Sequence, residues 1–234
     1  MTFHHYMNDD ITLANLSEKI TRKNKDGKRV YVLSEDFHGE ELVMPSVTSV
    51  TSLFSEEGIK NWRKRVGEEQ ANKIMVKASR RGTAVHNIAE DYIANKDNWS
   101  EGRMPSHMET FEKLRPVIDK NLQTVYLQEK KLYSHELLVA GKPDLICKWS
   151  DKNCCVDWKT SQKPKKHNYI HNYFMQGAAY CKAFEERTGL TMEKIVICIA
   201  VDNQQEPQIF VEDWRDWIEP FKQLRLQYKQ RYGI

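Results

Sequence analysis

GKPDLICKWSDKNCCVDWKTS, residues Gly141 to Ser161, reads as two strands joined by a turn. Leu145 to Trp149 runs out, Ser150-Asp151-Lys152-Asn153 turns, and Cys154 to Lys159 runs back. With an even number of turn residues, one face pairs Leu145 with Trp158, Cys147 with Val156 and Trp149 with Cys154. That side is apolar, as a core-facing side should be. The other face pairs Asp144 with Lys159 and sets Asp157 opposite Ile146, so two acids and a lysine share it, diagonal neighbours lying about 7 Å apart. A three-residue loop would put Asp144 on the face opposite Asp157 and Lys159 and break the apolar pairing. The hydrophobic pattern and the grouping of charges therefore select the same register.

Upstream, Ser46 to Phe54 is apolar at 47, 50, 53 and 54, a helical spacing. Gly58 follows, then a helix from about Ile59 carrying Arg63, Lys64 and Arg65, a solvated face or a phosphate contact. Another helix spans about Glu68 to Ala94, with Arg81-Gly82 as a candidate break and Val85, Ile88, Ala89 and Tyr92 as its apolar stripe. His86 and Glu90 share a face of it, with Arg80 and Arg81 one turn earlier. That spacing suits a surface pair or metal ligation. Residues 95–105 form a loop, and a helix from about Ser106 to Asn121 must kink or split at Pro116. Gln123 to Val139 alternates as a strand, and its Glu129 points either towards the two aspartates or to the strand surface.

Downstream, Lys163, Lys165 and Lys166 make a basic loop beside Lys159. A helix from about Asn168 to Thr188 carries Tyr169, Tyr173, Phe174, Gln176, Tyr180 and Phe184, and Gly189 ends it. Met192 to Val201 has the continuous apolar run of a buried strand, and Gln208 to Val211 suits an edge strand. Glu212 to Tyr232 is an amphipathic closing helix. Residues 1–44 read as an accessory segment, with a turn at Asn24–Gly27, a strand at Lys28–Leu33, and His4 and His5 in a mobile terminus. The fold class is α/β, a mixed central β-sheet of about five strands flanked by helices.

Composition is globular, with 29% charged and 40% apolar residues in 234, enough for one large domain or two small ones. A net charge of +3 does not by itself indicate nucleic acid, so any basic binding surface has to be local. The five cysteines (147, 154, 155, 181 and 198) show no CxxC and read as buried reduced thiols. No run reaches membrane-spanning length and no secretory signal pattern opens the chain. The expectation is a soluble cytoplasmic protein (host cytoplasm if phage-encoded) with no membrane partner.

Two carboxylates converging on one point repel unless a proton or cation lies between them, and oxygen ligands suit Mg²⁺ or Mn²⁺. A lysine beside them stays charged and can hold a phosphate oxygen or orient an attacking water. The metal would lower the pKa of that water and stabilise charge developing on phosphorus, which points to phosphodiester hydrolysis. The alternative is a surface hairpin with an incidental Asp–Lys pair worth about 0.2–1 kcal/mol.

Pro143-Asp144 followed by Asp157-Trp158-Lys159 resembles the PD-(D/E)xK nuclease motif, and the neighbouring residues resemble its RecB-like branch. His86 matches that branch's early-helix histidine, Gly141 to Asp144 its G-x-x-D element, Asp157 to Lys159 its D-x-K element, and Gln176 with Tyr180 its Q-x-x-x-Y helix. Pro45 to Thr48, His86 with Glu90, Val156 to Ser161 and Lys163 to Lys165 look like the mitochondrial genome maintenance exonuclease group and its phage relatives. The likeness covers about residues 44 to 201. It implies a restriction-endonuclease-like core within a nuclease domain at 45–234. It also implies a metal held by His86, Asp144, Asp157 and the Trp158 carbonyl, and a catalytic set of Asp144, Asp157, Lys159 and Gln176. Arg81, Ser161, Lys163 and Lys165 would meet the nucleic acid, Tyr180 would pack or contact it, and Glu90 and Glu129 are further candidates. No iron–sulfur cluster is expected, because no cysteine precedes Cys147. The implied activity is a Mg²⁺- or Mn²⁺-dependent exonuclease acting on DNA, preferably single-stranded ends. A structure-selective or nicking endonuclease of the same fold, a non-catalytic nucleic-acid-binding module, and an interaction protein with an accidental triad are the alternatives.

Overall fold

The computed structural model describes residues 2–6, 19–25, 27–34 and 41–234. In it the central hairpin closes in two residues rather than four. Ser150 (φ 47°) and Asp151 (φ 65°) are both left-handed, the geometry of the tight turn whose twist matches paired strands. Lys152 pairs with Trp149 and Asn153 with Lys148, so the four-residue turn expected at 150–153 is corrected, and Leu145 faces Val156. The slip is by two positions, which preserves the side-chain alternation. Leu145, Cys147, Trp149, Cys154, Val156 and Trp158 therefore do share one buried cluster. The opposite face is also a core, with Ile146 and Cys155 buried in a second cluster.

In chain order, strands β1 (His4–His5), β2 (Ile20–Lys25), β3 (Lys28–Leu33) and β4 (Leu42–Pro45) precede helices α1 (Val47–Val66), α2 (Glu68–Ile93) and α3 (Pro105–Asn121). Then come β5 (Leu122–Gln128), β6 (Leu132–Ser134), β7 (Val139–Gly141), β8 (Leu145–Trp149) and β9 (Lys152–Ser161). Helix α4 (His171–Thr188), strands β10 (Lys194–Val201) and β11 (Gln208–Asp213), and helix α5 (Arg215–Tyr232) follow. Among the described residues the main sheet is mixed and six-stranded, ordered β1-β5-β8-β9-β10-β11. Helices α1, α4 and α5 contribute to the core on one face, and α2 and α3 to the core on the other.

Strands β9 and β10 run parallel, Asp157 beside Ile197, and α4 lies in the crossover that such a pair requires. The sixth strand is the one read as a mobile terminus. His4 and His5 pair with Thr124 and Val125 of β5, Phe3 is buried, and its N–H donates to Asn95 Oδ1 at 2.7 Å. Strands β2, β3 and β4 form a separate sheet that buries Tyr31 and Met44 against Tyr133 and Ala140. The turn expected at Asn24–Gly27 includes Asp26, which lies outside the described residues.

Ser46 caps α1 by accepting the Ser49 N–H at 3.0 Å. The helix then runs through Gly58, and α2 through Arg81-Gly82, so neither expected break occurs. An interior glycine costs a helix only about 1 kcal/mol, which packing along its length can outweigh. Helix α3 likewise accommodates Pro116 as one element. Gly189 ends α4 in the left-handed conformation (φ 71°). All five cysteines are free and buried. No described helix is long and apolar enough to cross a membrane.

Candidate functional site

Asp144 immediately precedes β8, while Asp157 and Lys159 sit two apart on β9 and so point to the same side. Asp157 is only 3% exposed. Its Oδ1 accepts from Gln176 Nε2 of α4 at 2.8 Å, and its Oδ2 is ion-paired with Lys159. The Tyr173 ring, one turn before Gln176, lies under the ammonium of Lys159, 5.0 Å from ring centre to Nζ. Helix α2 brings His86 in from the other face of the sheet, and the Trp158 peptide bridges the two sides. Its N–H donates to Asp144 Oδ2 at 2.9 Å, and its carbonyl lies 2.7 Å from His86 Nε2. The other ring nitrogen, Nδ1, is 3.2 Å from Asp144 Oδ1.

Glu129 arrives from the end of β5. Its left-handed backbone (φ 49°) turns the chain there, and its N–H donates to the Asp144 carbonyl at 3.3 Å. Its carboxylate is ion-paired with Lys142. Potential ligand atoms of His86, Glu129 and Asp144 all lie within 4.8 Å of one another, a cluster that can hold a metal ion.

The imidazole of His86 faces an acceptor at each nitrogen. A carbonyl can only accept, so Nε2 carries the proton, and Nδ1 meets a carboxylate. Burial favours the neutral ring, but the charge of Asp144 and its hydrogen bond outweigh this and raise the pKa. For Asp144, burial pushes the carboxyl up, and His86, Lys159 and the Trp158 N–H together bring it below its ordinary value. Asp157 goes the other way: burial and the Asp144 charge hold it above the usual range despite Lys159. Glu129 is raised too, by burial first, against the pull of Lys142. Lys159 is disfavoured as a cation by burial, but Asp157 and Asp144 reverse that and keep it charged. Asp157 Oδ2 also accepts no hydrogen bond of good geometry. Two carboxylates and an imidazole thus converge where further positive charge would relieve repulsion, a donor set that fits a hard divalent cation, while Asp157 and the Trp158 carbonyl adjoin that cluster without belonging to it.

No family model matches the chain. Over 199 residues it is 23% identical to mitochondrial genome maintenance exonuclease 1 of Mus musculus, covering 75% of this chain. The likeness is to a nuclease. The match takes in 57% of that protein's length, so the chain spans little more than half of it.

The remaining candidates divide. Glu90, one turn beyond His86, is outside the ligand cluster, and its backbone carbonyl accepts from Gln128 Nε2 at 3.0 Å. Arg81 is turned onto Asp202, with both carboxylate oxygens within 2.8 Å of Nη1. Ser161 Oγ donates to the Lys163 carbonyl at 2.7 Å, shaping the loop where Lys163 is exposed and Lys165 half-buried. Tyr180 packs inside the fold. It is buried, with its ring against Gly141, and so is not on a surface a nucleic acid can reach. Two participants escaped the sequence reading, Lys142 and Tyr173. Their signal was adjacency: Lys142 lies within the Gly141–Asp144 element, and Tyr173 stands three residues before Gln176 on the same helix face.

Proposed function

We propose that this chain is a metal-dependent nuclease that hydrolyses phosphodiester bonds in DNA, acting as an exonuclease on single-stranded ends. The observation that carries the reading is the Trp158 peptide, which ties the Asp157–Lys159 pair to the His86–Glu129–Asp144 cluster through hydrogen bonds at both its N–H and its carbonyl. In this reading the β8–β9 hairpin, the parallel β9–β10 pair and α4 form a restriction-endonuclease-like core within a nuclease domain at residues 45–234. The exonuclease activity draws support from the likeness to an exonuclease, and the single-strand preference is only what the motif resemblance implies.

His86, Glu129 and Asp144 would hold the ion, with Asp157 and the Trp158 carbonyl beside them. Mg²⁺ or Mn²⁺, when bound, lowers the pKa of an attacking water and offsets charge on the phosphoryl oxygens. Lys159 stays protonated between two acids, and its ammonium orients the water or holds a phosphate oxygen. Gln176 fixes one oxygen of Asp157, leaving the other directed at Lys159 and the site. Tyr173 limits where the lysine can swing.

End-labelled linear and circular single-stranded DNA, incubated with Mg²⁺ or Mn²⁺, test this against Asp157→Ala and Lys159→Ala. The wild type should degrade the linear strand, and both variants should lose at least about a hundredfold in rate. Undiminished cleavage by both variants would sink the site, and cutting of the circle would replace exonuclease by endonuclease.

A further inference from the structure

A cleft of about 960 Å³ opens between α2 and α3, past the C-terminal ends of β9 and β10. Its walls carry Lys73, Lys77, Arg80, Arg81 and Lys113, five cations against the two carboxylates of Glu109 and Asp202. The whole chain has a net charge of only +3, so this recess concentrates positive charge that the average conceals. The partners of these cations matter more than their number. Arg81 is neutralised by Asp202 and Lys73 by Glu69, and Lys113 donates to the Val201 carbonyl at 2.9 Å without meeting an acid. The side chains of Lys77 and Arg80 are exposed and make no hydrogen bond or ion pair with any described residue.

No residue of the candidate centre lines the cleft, but the backbone joins the two. The cleft's floor residue Asp202 donates its N–H to the Ser161 carbonyl at 2.9 Å, and Ser161 ends the strand that carries Asp157 and Lys159. Along α2, Arg81 and His86 are five residues apart, about 8 Å of helix rise. Val76 and Met104, 50% and 60% exposed, stand beside the unpaired cations on the cleft wall. Unpaired cations next to exposed apolar side chains match a strand whose phosphates and bases are both accessible, which a duplex does not offer.

We propose that this cleft is the track for the substrate strand, with Lys77 and Arg80 as its phosphate contacts and Val76 and Met104 meeting sugar and base. Arg81 shapes the wall by fixing Asp202 and is not itself a phosphate contact. The proposal rests on the nuclease reading, and its test separates the two.

Binding of a fluorescein-labelled oligothymidylate is followed by anisotropy over a salt series, with Ca²⁺ replacing Mg²⁺. Hydrolysis of bis(p-nitrophenyl) phosphate with Mn²⁺ reports the catalytic centre without a strand. In Lys77→Ala/Arg80→Ala the slope of log K against log salt should shrink by about 1.4, or 0.7 for each lost phosphate contact. Small-substrate hydrolysis should be unchanged, and Lys77→Arg/Arg80→Lys should retain the wild-type slope. The control Lys152→Ala/Lys229→Ala removes the same charge outside the cleft and should leave the slope alone. Equal slopes in the cleft and control variants would overturn the track and leave the nuclease standing. A wild type that neither binds the strand nor hydrolyses the small ester would overturn both.

Discussion

Tyr180 lies against Gly141 so closely that a Cβ on the glycine would sit 2.5 Å from the tyrosine hydroxyl and 2.8 Å from its ring. Two motif elements, one at the end of β7 and one inside α4, therefore fit only because Gly141 lacks a side chain. The ring is 3% exposed, so making room for a Cβ means displacing a buried side chain. Gly141→Ala should destabilise the fold by about 1–3 kcal/mol through overpacking. Tyr180→Phe removes the nearest of the clashing atoms and should recover part of that loss in the double variant. Urea midpoints of the two single variants and the double variant measure it, and strict additivity would show that the two residues do not meet.

Gln176 is a positioning residue whose effect passes through Asp157. Removing its amide in Gln176→Ala leaves Asp157 Oδ1 buried without its donor. Supporting contacts of this kind typically carry a 10–100-fold effect, so the turnover number for DNA cleavage should fall by about that factor. Strand affinity should hold, because Gln176 does not line the cationic cleft. Parallel loss of strand affinity and rate would show instead that Gln176 touches the substrate.

The sequence made the faces of the central hairpin legible because alternation survives a slip of two residues. It did not reveal the slip itself. Lys152 and Asn153 are polar, as turn residues are, and their places in β9 depend on distant partners. The Asn153 N–H donates to Glu193 Oε2, and its Nδ2 to the Thr191 carbonyl. A two-residue strand such as His4–His5 has no periodicity to read, and its pairing with β5 accompanies burial of the neighbouring Phe3. Glu129 remained ambiguous for a related reason. Its direction follows from a left-handed turn and a hydrogen bond to Asp144, fifteen positions on. Tyr180 stayed open between packing and nucleic-acid contact because a motif spacing names a helix face without saying whether that face is wet.

Metal dependence should divide along the ligand cluster. Chelation with EDTA should abolish cleavage, and added Mn²⁺ should restore it. His86→Ala deletes the imidazole from the donor set while leaving Asp157 and Lys159 in place, so the Mn²⁺ concentration for half-maximal rate should rise at least about tenfold. Titrating rate against Mn²⁺, with metal binding measured directly by calorimetry, checks both. An unaltered Mn²⁺ requirement in this variant would remove His86 from the metal site.

Alkaline stability should depend on a contact between α2 and α3. The Tyr92 hydroxyl donates to Asp119 Oδ1 at 2.6 Å, joining α2 to α3, and its ring packs edge-on against Phe3 and Phe111. Burial first, then the bond to Asp119 and its charge, pushes the phenol from 10.0 up to about 12. A raised folded-state pKa contributes stability that is complete below the unfolded value and is lost as pH rises through the folded one. The contribution should therefore be intact below pH 10 and disappear towards 12. Tyr92→Phe should cost about 1 kcal/mol at neutral pH, where the hydroxyl bond is made. As the phenol of the unfolded wild type ionises above pH 10, its advantage over the variant should shrink and then vanish. Urea midpoints at neutral pH and near pH 11 give the comparison. A gap that stays constant across that interval would mean that the Tyr92 proton is held no more tightly in the fold than in the unfolded chain.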